Sequence, residues 1–252
     1  MKRSVNMFWP PVFLLLALMI WEGAVQFSGV PEWLLPAPSR VVKTLWQTRS
    51  LLAEHAGQTL LEAGTGLLAA VIAALLLALL MDVSATLRRG LYPLLVVSQT
   101  IPIVSLAPLF IIWFGYEMLP KVIVVALVCF FPVVISVVEA MGAVDREMIN
   151  LLRLMGAGSW QVFTKVKLPA AMPAFFAGLK IAATYSIMGA VIGEWLGASK
   201  GLGVYMTRAA HSYQTGSVLA SVVVISSLSL MVFALIELLA RFTMPWHQEG
   251  RK

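Results

Sequence analysis

The chain has 252 residues, 60% of them hydrophobic, and only 30 carry charge (18 Lys+Arg and 12 Asp+Glu), or 12%. A soluble domain carries roughly 25% charged residues, so the available charge covers about half of a water-facing surface and the main solvent must be lipid. The same figures exclude a disordered chain, and a single cysteine, Cys129, excludes a disulfide scaffold.

A helix needs about 20 mostly apolar residues to cross the hydrocarbon, and six such runs follow one another along the chain. The first, 8–27, contains Glu22. Lys2 and Arg3 ahead of it leave a cleaved signal peptide as the alternative, but no small-x-small cleavage site follows. The connection 28–57 opens with Val30, Pro31, Pro36 and Pro38. Ser39 then suits the N-cap of a short helix on which Val41, Val42, Leu45, Trp46 and Leu52 form one apolar face. It reads as an interfacial helix or as a docking surface for a partner.

The second span, 60–81, has a face of small residues: Ala63, Gly66, Ala70, Ala73 and Ala74. The third, 91–114, contains Pro102 and Pro108, each of which removes a backbone donor and kinks the helix. Ser98, Gln99, Thr100 and Ser105 cluster there. The fourth, 119–138, holds Ser136 and has a charge only at its edge, Lys121.

The connection 139–172 carries the most information. Asp145 caps a helix from Arg146 to Met155, and Gly156 supplies the left-handed residue that ends it. Ser159 caps a second helix from Trp160 to Val166 that stops at Leu168 and Pro169. The resulting knob exposes Arg146, Arg153, Lys165 and Lys167, and holds Leu151, Leu152, Leu154, Met155, Trp160, Val162 and Phe163. Those apolar side chains either pack under neighbouring span ends or dock a partner.

In the fifth span, 173–193, Gly178, Ala182, Ser186, Gly189 and Gly193 fall within about 80 degrees on a helical wheel, a stripe that admits a close backbone. Pairing with the small face of the second span, or a dimer seam, would use it. Lys180, Thr184 and Tyr185 lie in the same span. Glu194 and the glycine-rich run through Gly203 shape either an external gate or a tight loop. The sixth span, 217–239, contains Glu237 near its end.

Positive residues are retained on the cytoplasmic side. One set of alternate connections holds Lys2, Arg3, Arg88, Arg89, Arg146, Arg153, Lys165, Lys167, Lys180, Arg241, Arg251 and Lys252; the other holds Arg40, Lys43, Arg49, Lys121, Lys200 and Arg208. The 12-to-6 split makes both termini cytoplasmic. The basic excess is therefore a topology signal and calls for no nucleic acid. The connections are too short for a second folded unit, so residues 1–252 form one transmembrane domain.

The loop resembles the signature of the permease subunits of bacterial binding-protein-dependent ABC importers: E-A-A, three residues, G, nine residues, I-x-L-P. Asn150, Leu151 and Leu152 stand at the E-A-A positions, followed in register by Gly156, Val166, Leu168 and Pro169. N-L-L thus replaces E-A-A. Further segments are similar to permeases of the nitrate, sulfonate and taurine type, a group that includes importers of thiamine pyrimidine precursors. They are Trp21–Glu22, Leu34–Ser39, Gln99–Pro102, Ala107–Gly115 and Gly193–Gly203.

The resemblance implies an all-α membrane protein with the type I permease fold, about six transmembrane helices and a cytoplasmic coupling loop at 139–172. It makes Asn150, Arg153, Gly156, Ala157, Val166, Leu168 and Pro169 the residues that meet a cytoplasmic ABC ATPase, present in two copies. It also implies a permease homodimer, a periplasmic substrate-binding protein and a bacterial inner-membrane location. ATP and Mg belong to the ATPase, with no cofactor on this chain.

The residues agree on that division of labour. No Gly-x4-Gly-Lys-Ser/Thr run is present. His55, His211 and His247 are scattered, which offers no metal cluster, and no nucleophile elbow marks a catalytic site. Polar side chains inside apolar spans are costly against lipid, which makes Gln99, Thr100, Ser105, Ser136, Thr184 and Tyr185 candidates for a translocation path; hydrogen bonds between helices would explain them equally. A secondary transporter or channel is the alternative, but no span centre carries the acidic or histidine relay that proton coupling requires.

Overall fold

The computed structural model describes residues 9–245. Lys2, Arg3, His247, Arg251 and Lys252, and the start of the first predicted span at Phe8, lie outside the described residues. Eleven helices follow in order: α1 Trp9–Ser28, α2 Pro38–Gln47, α3 Arg49–Val83, α4 Ala85–Ser98, α5 Ile103–Phe114, α6 Met118–Gly142, α7 Arg146–Leu154, α8 Ser159–Val162, α9 Leu168–Trp195, α10 Leu202–His211 and α11 Thr215–Thr243. Five helical stretches are long and apolar enough to cross a membrane, and the bent pair α4/α5 makes a sixth if it counts as one span.

The core is a layer of three helices with α6 in the middle. Ala63, Gly66, Ala70, Ala74 and Ala78 of α3 are buried, whereas Ala73 points outward. A Cβ at Gly66 would collide with Val125 of α6, and one at Gly178 of α9 would collide with the Pro132 carbonyl and Ser136 of α6. Gly189 and Gly193 likewise lie against Val125 and Lys121. Both small-residue stripes therefore face α6 and not chiefly each other. Without a hydrophobic drive between helices in lipid, such close van der Waals approach supplies the association. The Cys129 thiol on α6 donates to the Ala182 carbonyl at 3.2 Å, sealing the α6–α9 contact.

Three expectations change in the structure. The third span is not one kinked helix: α4 and α5 are turned by 96° across Gln99–Pro102, while Pro108 sits inside α5 without a break. Proline has no N–H and restricts the residue before it; α4 ends at Ser98 and Pro102 takes the N-cap of α5, whereas Pro93 stays inside α4. The helix of the second span begins well before residue 60: α3 runs from Arg49, and one face of its first turns, at Leu52, His55 and Thr59, is buried by tertiary contacts. Finally, Ser39 is not the N-cap of α2. Ala37 takes that position, and the Glu22 carboxylate on α1 accepts the Ser39 N–H at 2.9 Å and its hydroxyl at 2.7 Å. A carboxylate suits the positive end of a helix, so Glu22 fastens α1 to α2. On α2, Val41 is buried with Leu52 of α3, while Val42 and Trp46 face outward. Arg49 stacks over Trp46 at 4.5 Å.

Lys180 also has a partner. It pairs with Glu237 of α11, to which Arg241 adds a contact at 3.2 Å. An ion pair replaces the water these charges lose within the span.

Candidate coupling loop and translocation path

The segment between α6 and α9 is a knob of two short helices. The Asp145 side chain accepts the Glu147 N–H at 2.8 Å and so caps α7. Gly156 has φ +86°, the Gly156 N–H bonds the Arg153 carbonyl at 3.0 Å, and the Ala157 N–H bonds the Leu152 carbonyl at 2.9 Å. That is a Schellman ending, which needs a left-handed residue. A Cβ there would meet nothing within 4 Å, so glycine is required by backbone conformation alone.

The second helix departs from the sequence reading. Gly158, not Ser159, precedes its first turn, and the Gln161 side chain accepts the Gly158 N–H at 2.9 Å. Nor does the helix stop at Leu168 and Pro169. It passes through a π-helical turn at Phe163–Lys167 straight into α9, with Pro169 in the first turn of α9. A proline in a regular helix clashes with the carbonyl four residues back. The wider turn, in which the Leu168 N–H bonds the Phe163 carbonyl, makes room for it.

The knob leaves apolar side chains in the open. Leu154 is 87% exposed, Met155 76% and Trp160 71%. Trp160 stacks on Phe163 with centroids 5.7 Å apart. Asn150 and Arg153 are exposed on α7, Ala157, Val166 and Pro169 are half-buried, and Leu168 is at the surface. Arg153, Ile149, Trp160 and Phe163 face the end of α3 at Leu79, Asp82 and Val83 across a groove of about 440 Å³. Lys167 turns inward there and pairs with Asp82 at 2.7 Å, whereas Lys165 stays exposed.

The polar residues of the spans fall into two groups. Gln99 and Thr100 form the break between α4 and α5, and Ser105 lies in the first turn of α5; all three are exposed. No backbone N–H among the described residues bonds the carbonyls of Gln99, Thr100 or Ile101. Ser136 of α6 abuts Gly178, the Thr184 hydroxyl donates to the Lys180 carbonyl at 2.9 Å, and Tyr185 is exposed on the outer face of α9.

A polar cluster at the other end of α3 escaped the sequence reading. His55, Gln58, Thr59 and Glu62 recur at helical spacing on one face, and His55, Thr59 and Glu62 are buried. The His55 ring nitrogen Nδ1, the Thr59 hydroxyl oxygen and the Glu194 carboxylate accept the N–H groups of Gly201, Leu202 and Gly203 at 3.0, 2.9 and 2.5 Å. These are the orphan donors that open α10. Thr59 also donates to Glu194 at 2.6 Å, and Lys121 pairs with Glu62 at 3.1 Å with Gln58 beside it at 2.7 Å. Between the two alternatives for Gly193–Gly203, a gate or a tight loop, this capture describes a clamped loop. The overlooked signal was the i, i+4, i+7 spacing of His55, Thr59 and Glu62 in an otherwise apolar helix.

The described residues thus form a bundle of helices, five of them long and apolar enough to cross a membrane, with an exposed apolar knob, and this is the architecture of a membrane transport subunit in the family that the sequence matches. The chain belongs to the family described as binding-protein-dependent transport system inner membrane components, whose model matches residues 66–244. It is 37% identical over 250 residues to the formylaminopyrimidine transport permease protein of Halalkalibacterium halodurans, covering 99% of this chain and 100% of that one. The riboflavin transport system permease protein of Chloroflexus aurantiacus is 36% identical over 97% of this chain and 94% of its own. The taurine transport system permease protein of Escherichia coli is 28% identical over 94% and 88%. An inward-facing structure of the MetNI methionine ABC transporter has the same fold, with a TM-score of 0.67 and 18% identity over 77% of this chain and 97% of that one.

Proposed function

We propose that the chain is the permease subunit of an ATP-driven importer of an uncharged nitrogen heterocycle of the formylaminopyrimidine kind. It works with two copies of a cytoplasmic ATPase, a second copy of itself and an external binding protein, in the inner membrane with both termini cytoplasmic. ATP and Mg are bound by the ATPase, and this chain is not a catalyst.

The carrying observation is the knob, which exposes Trp160 on the helical run that continues into α9, and Leu154 and Met155 at the end of α7 beside it. Exposed aromatic and apolar anchors on a rigid element mark a docking surface. A broken helix in lipid leaves backbone groups that only a polar cavity can satisfy, which favours a path past Gln99, Thr100 and Ser105, with Ser136, Thr184 and Tyr185 of α6 and α9 as further lining. The choice of a heterocycle rests on the higher identity to the formylaminopyrimidine and riboflavin permeases than to the taurine permease. None of those six path residues is basic, which suits an uncharged cargo better than an anion.

The test is uptake of a labelled formylaminopyrimidine into proteoliposomes holding the permease with its ATPase and binding protein. Uptake should require all three proteins and ATP. Uptake without the ATPase would overturn the reading in favour of a secondary transporter. Replacing Gly156 by valine, which costs roughly 1–2 kcal/mol in the left-handed conformation, should abolish uptake while the permease stays in the membrane.

A further inference from the structure

The Asp82–Lys167 ion pair is the feature whose placement is least explained by stability. Asp82 is the next-to-last residue of α3. There a carboxylate meets the negative end of the helix, where anions are disfavoured, so α3 gains nothing from it alone. Lys167 closes the π-helical turn. Two residues beyond Lys165, which stays exposed, Lys167 lies on the opposite face of the helical run and faces α3. The two groups meet at 2.7 Å, with 21% and 12% of their side chains exposed.

Among the described residues, this is the sole side-chain hydrogen bond or ion pair joining residues 145–167 to any other element. Beside it the knob and the end of α3 are separated by the groove lined by Leu79, Val83, Arg153 and Trp160. The helical run from Ser159 to Trp195 is continuous, so a force on the knob tilts the base of α9. Apolar packing of α9 on α3 in the shared core carries part of that movement, but it supplies no directional link between the loop itself and the end of α3. A charge-assisted bond at 2.7 Å transmits both push and pull.

Building on the ATPase-driven reading above, we infer that Asp82 and Lys167 form the strut that carries motion of the coupling loop to α3. They are positioning residues: neither meets cargo or nucleotide. The external end of α3 is clamped to α6, α9 and α10 by Glu62, Thr59 and His55. Displacement of its cytoplasmic end therefore reaches the external frame as a rigid-body tilt of one helix.

The experiment uses the complete complex in proteoliposomes with a labelled formylaminopyrimidine, and reads ATP consumed per molecule imported. Asp82→Asn and Lys167→Gln should each raise that ratio about tenfold, a typical size for loss of one coupling contact. The charge-reversed pair D82K/K167D should bring it back toward the wild-type value, and Lys167→Arg should leave it close to wild type. A merely structural pair would lower the amount of assembled complex with the ratio unchanged. That result, or failure of D82K/K167D to restore the ratio, overturns the strut. Absence of ATP-dependent uptake by the wild-type complex would instead overturn the functional reading, and the strut with it.

Discussion

The two ends of α3 are built on opposite principles. At the end near Arg49, Glu62, Lys121, Thr59, Glu194 and His55 bury their polar groups against one another and against the first amides of α10. At the end near Val83, one ion pair spans a groove and the neighbouring knob turns Leu154, Met155 and Trp160 outward. A buried polar network is stable only when nearly all its members are satisfied, so the end near Arg49 is self-contained. Exposed apolar side chains are unsatisfied in water, so the end near Val83 is the one that the proposed ATPase contact would complete. Substitutions at the first should act on folding, and at the second on association.

The sharpest break in this contrast is Lys121→Met. It strands the Glu62 carboxylate, which is fully buried and already has one oxygen without a partner. Removing one member of a buried ion pair costs about 3–5 kcal/mol, so thermal unfolding of the purified permease should move sharply downward. The double variant Glu62→Leu/Lys121→Met should recover most of that loss, because replacing both charges by apolar groups is close to neutral. A double variant as unstable as the single would show that the cluster acts through something other than charge pairing.

Trp160→Ala probes the other side of the comparison. A substitution at an exposed position normally changes stability by no more than about 0.5 kcal/mol, so unfolding should be nearly unaffected. Loss of a central aromatic anchor weakens association by about 2 kcal/mol or more, roughly 30-fold in affinity. Titration of the detergent-solubilised permease with its ATPase reads this directly. Unchanged affinity would remove Trp160 from the docking surface.

How much of this was legible in the sequence follows the same divide. The spans announce themselves, because a run of about 20 apolar residues has few alternatives. The α7 cap at Asp145 and the left-handed Gly156 could be placed because both depend on neighbours within a few residues. What could not be placed depends on distant partners. Glu22 and Lys180 stood out as charges in lipid, but Ser39 and Glu237 could not be chosen for them from spacing. The cap at Glu194 joins residues 135 positions apart. The 96° break at Gln99–Pro102 was expected only as a kink, since Pro102 shows where a helix weakens but not how far neighbours let it turn. Lys167 reads in the sequence as one more exposed charge, because its partner Asp82 lies 85 positions away. The path residues Gln99, Thr100, Ser105, Ser136, Thr184 and Tyr185 stand out by polarity alone, and the hydroxyls of two of them, Thr100 and Thr184, bond carbonyls three or four residues back.

The smallest effect expected is at Asp145, where the comparison can be refined within the knob. The Asp145 side chain holds the Glu147 N–H at 2.8 Å, and loss of such a cap costs about 1 kcal/mol. Because α7 has no fully buried residue, that cost should stay local and not spread into α6 or α9. Asp145→Ala should therefore speed amide hydrogen exchange across residues 146–154 by about fivefold, the equilibrium equivalent of about 1 kcal/mol, with the buried parts of α6 and α9 unchanged. Bound ATPase should suppress the difference, since a partner that selects the ordered knob stabilises it by mass action. If exchange in α6 rises in step with α7, the knob is an extension of the core, and the division between a self-satisfied end and a partner-dependent end has to be redrawn at Gly142.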